Sequence, residues 1–294
     1  MRAWIAKHGR VATFIVLLSA SISASVANAG RALIYSVQFG NATPSYLVGT
    51  MHTEDPRVTG LMTQIAPLID RVEVVAIELV PDAVTMVAVG AATMLPRNRR
   101  LRDLMGTARF EATRDAARRA QIPVEVLDRL KPWAAAVILG MPSIETGRVL
   151  DNEIYLDALA SQRRVEGLES ATEQLAVFEH MSTALQLRLL DVIVKNIDQV
   201  PKQLEDLTTA YVSGDLERLD AAARMQYREL PPELARWFDE ELLDRRNANM
   251  VDRAERLIRA QPTLVAVGAM HLGRGSGLVA GLRARGFRVE RLRD

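Results

Sequence analysis

The sequence predicts an α/β fold in which helices flank a mixed central sheet and a long, mainly helical insertion precedes the last strands. Three observations support this fold class. Short apolar, β-branched segments alternate with helical segments along much of the chain, which is typical of sheets that contain parallel strands. Residues 172–260 have helical period and propensity almost throughout. Strand-like segments then return at residues 263–267 and 287–292.

The first 29 residues have the pattern of an export signal. Three basic residues precede an apolar segment at 11–25, and residues 27–29 (ANA) have the A-x-A form of a signal-peptidase site. We expect cleavage after Ala29, so that residues 30–294 form the mature domain in the periplasm or outside the cell. An uncleaved membrane anchor is the alternative, which the short, serine-containing apolar segment disfavours.

Charge and cysteine content narrow the classes of partner. The formal charge of the whole chain is +1, and cleavage would leave 34 basic against 36 acidic side chains, or −2. No clustered surplus of lysine and arginine remains that would indicate nucleic-acid binding. The chain has no cysteine, which excludes disulfides and a lipid-bearing cysteine. We therefore expect a core held by apolar packing, with no stable membrane anchor after cleavage.

The elements follow one another with recognisable boundaries. Two extended segments at 32–39 and 45–48 flank the turn 40–44 (GNATP) and predict a hairpin. Asp55 and Pro56 have the N-cap and first-residue pattern of a helix that runs to Ile69. Further strands are predicted at 72–79, 122–127, 164–169, 263–267 and 287–292. Further helices are predicted within 82–120 with a polar break at 96–100, from 133, at 151–161, through most of 172–260, and from the glycine-rich segment 275–277 to 285.

Four polar residues lie at the ends of predicted strands. His52, Glu78, Glu169 and His271 each follow a strand-like segment. In open α/β sheets, ligands bind outside the carboxyl ends of the strands. The shared position therefore predicts one site.

The two histidines also share a local motif. Gly49 precedes His52 by three residues, and Gly268 precedes His271 by three. Glycine permits a sharp turn or a close approach to a ligand, so we expect both glycines in substrate binding. Imidazole and carboxylate suit a divalent transition metal such as Mn, Co or Zn, with His52, Glu78 and His271 as expected ligands. Purely structural roles for the histidines and the strand-end carboxylates are the alternative.

An arginine occupies the apolar face of a predicted helix. Arg246 falls at i, i+4 spacing in a series with four apolar residues: Leu242, Met250, Ala254 and Ile258. A buried guanidinium requires a carboxylate or an anionic substrate group, so we expect Arg246 to bind substrate or stabilise developing negative charge. A structural ion pair or a side chain that reaches solvent is the alternative. Asn247 lies on a different face and is a weaker candidate for substrate binding.

Six separated motifs occur in order along residues 32–292. They are residues 46–52 (YLVGTMH), Glu78 within AIEL, residues 131–133 (KPW), residues 167–170 (GLES) with Glu173 and Gln174, Arg246 with Asn247, and residues 268–272 (GAMHL). Together they resemble the TraB/GumN family. That family includes the Tiki proteins, described as metal-dependent proteases with paired G-x-x-H motifs, and is similar to erythromycin-esterase-like and haem-uptake ChaN-like folds. The resemblance implies an α/β core whose site contains His52, Glu78, Glu169, Arg246 and His271.

These observations lead to one principal hypothesis and two alternatives. The principal hypothesis is an exported, metal-dependent hydrolase of a peptide or amide bond, with Glu169 as general base and a peptide or other small extracytoplasmic substrate. A metal-independent, esterase-like hydrolase is the first alternative. The second is an exported protein that binds a peptide or polysaccharide fragment without turnover.

Overall fold

One mixed sheet of six strands organises the molecule, whose computed structural model describes residues 30–142, 144–227 and 230–292. The strand order is β4-β3-β5-β2-β1-β6. The four strands from β4 to β2 are parallel, whereas β1 is antiparallel to β2 and to β6. The strands are β1 (Leu33–Gln38), β2 (Ser45–Thr50), β3 (Val74–Ile77), β4 (Arg164–Gly167), β5 (Thr263–Gly268) and β6 (Arg288–Arg291). The predicted α/β class and N-terminal hairpin are confirmed, and the signal-peptide prediction lies outside the described residues.

Helices account for most of the remaining chain. The α-helices are α1 (Pro56–Thr59), α2 (Met62–Ile69), α3 (Ala83–Thr93), α4 (Leu101–Met105), α5 (Thr107–Arg119), α6 (Val124–Leu127), α7 (Pro132–Gly140), α8 (Leu150–Ala160), α9 (Ala171–Glu179), α10 (Thr183–Lys195), α11 (Val200–Val212), α12 (Leu216–Tyr227), α13 (Pro232–Trp237), α14 (Arg246–Ala260) and α15 (Leu278–Ala284). A π-helical segment, Phe238–Arg245, leads directly into α14. Within the described ranges, no helix combines the length and apolar character needed to cross a membrane.

Two hydrophobic clusters stabilise the fold. The larger cluster surrounds the sheet, where β2 and β3 are buried at every position, as expected for strands covered on both faces. The smaller cluster joins α4, α5, α6, α7 and α10 and includes no strand residue among those described. The segment predicted as a helical insertion corresponds to α9–α14. It contributes α10 to the smaller cluster and α11, α12 and α14 to the larger one.

Two sequence-based element predictions differ from the structure. The strand predicted at 122–127 is wrong, because this segment forms α6, whose first turn begins after Pro123 and buries Leu127 among helices. Short apolar runs do not distinguish a strand from a buried helical turn by periodicity. The single helix predicted from Pro56 to Ile69 is divided into α1 and α2 at Gly60. Asp55 does cap α1, since its side chain accepts a hydrogen bond from the Arg57 N–H.

The carboxyl ends of the parallel strands meet at one edge of the sheet. Ile77, the last residue of β3, pairs with Gly167 of β4 and Ala266 of β5. Thr50, the last residue of β2, pairs with Gly268 of β5. The four strand-end residues named above therefore follow adjacent strands at the same edge, as the sequence predicts.

Gly49 offers a test of how tightly this edge is packed. A Cβ at position 49 would lie 2.8 Å from Leu272 Cδ1 and 3.1 Å from Ala269 Cα. We expect Gly49→Ala to lower the free energy of unfolding by about 1–3 kcal/mol, measured by urea denaturation. Gly90→Ala in α3, where nothing lies within 4 Å of the added Cβ, should instead raise it by about 0.4–1 kcal/mol. Equal effects of the two substitutions would contradict this packing.

Candidate active site

Arg246, the first residue of α14, lies at the centre of the candidate site. Its Nη2 donates hydrogen bonds of 2.6 Å to Glu78 Oε2 and to Glu169 Oε2. Its Nε donates to both oxygens of Glu169 at 3.1 Å. The side chains of Arg246 and Glu169 are only 9% and 2% exposed. The carboxylate partners required by a buried arginine are therefore the glutamates that follow β3 and β4.

The other oxygen of Glu78 faces β5 and His271. Glu78 Oε1 accepts a hydrogen bond of 2.6 Å from the Gly268 N–H. A Cβ at position 268 would lie 3.2 Å from Glu78 Oε1, so glycine allows this close approach. Although burial favours the neutral acid, His271, Arg246 and the Gly268 N–H together hold the pKa of Glu78 below its usual range.

His271 is buried and held by Asn247. Its Nδ1 lies 2.7 Å from Asn247 Oδ1, an arrangement in which Nδ1 carries the proton and donates it to the amide oxygen. Burial lowers the pKa of His271 to about 4, so the ring is neutral at pH 7. The lone pair of Nε2 then lies 3.8 Å from Glu78 Oε1. Asn247 is fully buried, and its Nδ2 has no hydrogen-bond partner among the described residues.

His52 pairs with an acid that the sequence did not reveal as a site residue. Its Nδ1 lies 3.6 Å from Asp151 Oδ2, at the start of α8. The other oxygen of Asp151 accepts a hydrogen bond of 2.6 Å from Thr50 Oγ1. The Asp151 carboxylate raises the pKa of His52, and burial opposes this effect. His52 remains about half exposed, with a side-chain exposure of 47%.

The two histidines line adjoining cavities. A cavity of about 750 Å³ is lined by His52 and Asp151, and one of about 270 Å³ by His271 and Arg246. The cavities share three lining residues: Thr50, Glu78 and Gly268. Glu78 therefore lies between the two histidines and contributes to both cavities.

The smaller cavity is mainly apolar, because the helical insertion forms most of its wall. Among its lining residues, the charged groups and the imidazole are those of Glu78, Arg246 and His271. The apolar and aromatic lining from α11, α12 and the π-helical segment comprises Leu207, Tyr211, Leu219, Ala223, Tyr227, Phe238, Leu242 and Leu243. Such a cavity can hold the apolar part of a ligand whose polar end reaches Glu78 and His271.

Three of the expected roles are not matched by position, and one of them is that of Asn247, a candidate for substrate binding that is fully buried and lines neither cavity. Glu169, the expected general base, lines neither cavity and accepts three hydrogen bonds from Arg246. Burial raises its pKa, and Arg246 opposes that rise. Gly49, expected to contact substrate, also lines neither cavity. Its missing Cβ makes room for Ala269 and Leu272, and its carbonyl accepts a hydrogen bond of 2.7 Å from Tyr211 OH.

Glu78 and His271 have the donor atoms and the protonation states that a divalent metal requires. They form only a pair of ligands, however. His271 is neutral and Glu78 ionised, as metal ligands must be. Two ligands about 2.1 Å from one tetrahedral ion lie about 3.4 Å apart, close to the 3.8 Å between His271 Nε2 and Glu78 Oε1. Across residues 30–142, 144–227 and 230–292, no group of three or more His, Cys, Asp or Glu side chains is placed to hold a metal ion. Binding of one ion by His52, Glu78 and His271 thus stays a prediction.

Comparison with known families places this arrangement in a wider context. The sequence profile of the TraB/PrgY/gumN family matches residues 33–291, which include every strand and every candidate site residue. The chain belongs to the TraB/PrgY/gumN family. This result confirms the resemblance described from the motifs. No curated protein and no solved structure matches the chain.

The motifs of this TraB/PrgY/gumN family member have distinct physical roles. The two G-x-x-H segments end the adjacent strands β2 and β5, and Glu78 lies at the end of β3 beside them. Lys131 and Trp133 both donate to the Glu179 carboxylate, which links α7 to the end of α9. The sequence does not identify Asp151 as a site residue, because it resembles an ordinary acidic residue in the first turn of a helix. Only its proximity to Thr50 and His52 in the structure reveals its role.

Removal of the central arginine should be strongly destabilising. Arg246→Met would leave Glu78 and Glu169 close together without their counter-charge, and we expect a loss of about 3–5 kcal/mol in the free energy of unfolding at neutral pH. Arg245→Met is the matched control, since Arg245 is exposed and pairs only across one helical turn with Glu241. That control should change stability by about 0.5 kcal/mol or less. Similar losses in urea denaturation of both variants would refute the central role of Arg246.

A second ionic contact gives a pH-dependent prediction. Arg253 and the Ser170 N–H lower the pKa of Glu173 from 4.5 to about 2. A depressed pKa contributes stability that is complete above the unfolded value and is lost as the pH falls through the folded value. Unfolding free energy should therefore fall between about pH 4.5 and pH 2, with a shallower slope in Glu173→Gln and Arg253→Met. An unchanged slope in both variants would show that this contact does not contribute.

Proposed function

We propose that this protein is an exported hydrolase that cleaves a peptide or amide bond, with divalent Mn, Co or Zn as its cofactor. His52, Glu78 and His271 would hold the ion, which when bound would polarise the scissile carbonyl and acidify its water. The observation that carries the proposal is the neutral Nε2 of His271 facing the ionised Oε1 of Glu78 across 3.8 Å. Two electron-pair donors facing each other are stabilised by an electron-poor partner. Export is supported by the N-terminal sequence pattern.

The surrounding residues would position these groups. Asn247 holds the Nδ1–H of His271, which leaves the lone pair on Nε2, the ring nitrogen 3.8 Å from Glu78 Oε1. Hydrogen bonds of this kind fix the ring orientation and tautomer of histidines that bind metals. Arg246 fixes Glu78 and Glu169 through Nε and Nη2, and its Nη1 bonds to neither glutamate. That nitrogen is available to a substrate carbonyl, consistent with the expected role in stabilising negative charge.

The larger cavity supports a role for His52 in proton transfer. Asp151 raises the pKa of His52, so that this imidazole holds a proton more readily than an ordinary histidine does. With Nδ1 directed toward Asp151 and no ion bound, Nε2 would take a proton from water and later return it to the leaving amine. His52 would therefore be the general base only in a reaction without a metal ion, because as a metal ligand it has no free lone pair on Nε2. The apolar smaller cavity would receive an apolar side chain of the substrate.

The His52–Asp151 pair also favours a second candidate, a metal-independent hydrolase. In that mechanism the histidine, oriented by the aspartate, would activate water directly, as the pairing of an imidazole with a carboxylate permits. The two candidates make different predictions for chelators. Turnover by the metal-dependent enzyme would stop on chelation and return when the ion is restored, whereas the second enzyme would be unaffected.

The histidines provide the decisive variants. We expect the purified mature chain to contain Mn, Co or Zn, and both His52→Ala and His271→Ala to lower its content. Turnover of a mixed peptide digest, followed by mass spectrometry, should fall about a hundredfold or more in each variant. His180→Ala is the matched control, because this exposed histidine lies at the end of α9 outside both cavities.

Three results separate the alternatives. Metal content that persists in the double variant His52→Ala, His271→Ala would refute the metal assignment. Chelator-resistant turnover that still requires His52 would establish the metal-independent candidate. Peptide binding that survives Glu169→Gln, with no turnover by the wild type, would favour a binding protein instead.

A further inference from the structure

The α3 helix is apolar on every side and yet largely exposed, although one side of it contacts α9. Its sequence, AVTMVAVGAAT, has no charged residue, and none of its residues is buried. Val84 is 80% exposed, Val87 73% and Met86 54%. A helix that is hydrophobic all round is normally buried, and a contiguous exposed apolar patch marks an interaction site. The exposed face of α3 is therefore expected to bind a partner that covers it.

The apolar surface continues to the mouth of the larger cavity. Met86 of α3 lines that cavity together with Met141 and Leu156. Met141 and Leu156 are themselves 39% and 58% exposed. The exposed apolar surface formed by α3, Met141 and Leu156, here called the α3 patch, thus borders the opening that leads to His52.

A basic loop follows α3 directly. Arg97 and Arg99 are exposed, and neither has an ion-pair partner in the described part of the chain. The loop is fixed from behind by Arg129, whose guanidinium donates to the carbonyl oxygens of Leu95, Pro96, Arg97 and Arg99 at 2.8–3.2 Å. The acidic residue nearest to the loop in sequence is Asp103 in α4, whereas Asp82 caps the start of α3.

We propose that the α3 patch and its basic loop dock on an anionic lipid surface. Apolar side chains enter the boundary of the acyl chains, while adjacent arginines attract negative headgroups, and the two contributions add. A second copy is a poorer partner, because a twofold interface places the same patch on both sides and adds the positive charge of two basic loops. The inference is independent of the proposed hydrolysis.

Docking in this orientation has a structural consequence. Because Met86, Met141 and Leu156 line the larger cavity, its mouth lies beside the lipid surface in the docked state. A substrate carried in or on the membrane would reach His52 without crossing open solvent. Export, as proposed from the N-terminal pattern, would bring the mature chain to a compartment that borders a membrane.

Vesicle binding tests the proposal. The chain beginning at Gly30, which contains every described element but lacks the apolar N-terminal segment, is mixed with phosphatidylglycerol–phosphatidylcholine vesicles or with pure phosphatidylcholine vesicles. We expect cosedimentation with the anionic vesicles and weaker binding to the neutral ones. Val84→Ser and Val87→Ser should each weaken binding about tenfold. Arg97→Gln and Arg99→Gln should each weaken it about fivefold and reduce its salt dependence.

Matched controls lie on α12, outside the patch. Met225→Ser removes an exposed apolar side chain, and Arg218→Gln an exposed positive charge, and neither should alter binding. Because α3 has no buried residue, its variants should keep the wild-type melting temperature, so a loss of binding is not a loss of fold.

Two outcomes would overturn the proposal. Equal or absent binding of the wild type to both kinds of vesicle would remove the anionic lipid surface as the partner. A stable dimer in light scattering that Val84→Ser and Val87→Ser dissociate would show that a second copy covers α3.

Discussion

The geometry of the candidate site depends on the ion pairs of Arg246 with Glu78 and Glu169. The two carboxylates follow neighbouring strands and would repel each other in a buried environment, where a charge without a partner is very unfavourable. One guanidinium from α14 neutralises both and fixes their oxygens. It thereby joins the helical insertion to the carboxyl edge of the sheet.

The same helical turn also orients the histidine. Asn247 follows Arg246, and successive residues of an α-helix are about 100° apart around its axis. The two side chains therefore reach different targets: Arg246 contacts the glutamates after β3 and β4, and Asn247 contacts His271 after β5. The preceding π-helical segment ends where α14 begins, and such segments are frequent at functional sites because they alter the phase of a helix.

The electrostatic environment differs on the two sides of Glu78. On one side His271 is buried and kept neutral, with its Nε2 3.8 Å from the carboxylate. On the other side His52 is half exposed, and its pKa is raised by Asp151. One imidazole is thus suited to bind an electron-poor group and the other to exchange protons near neutral pH. The helical insertion adds an apolar wall to the first of these sides, while α3 borders the second.

The sequence by itself determined the strands and the residues that end them. Apolar, β-branched segments identified the adjacent strands β2, β3 and β5, and their terminal His52, Glu78 and His271 share one edge because parallel strands align their carboxyl ends. The i, i+4 pattern likewise placed Arg246 on an apolar helix face, because the period of apolar residues is a property of local sequence. Only the tertiary structure decided which groups meet. Asp151 lies beside His52, although the two residues are 99 positions apart in sequence. Glu169 accepts hydrogen bonds from Arg246, and residues 122–127 form a helix among other helices. These outcomes depend on contacts between segments distant in sequence, which no local pattern records.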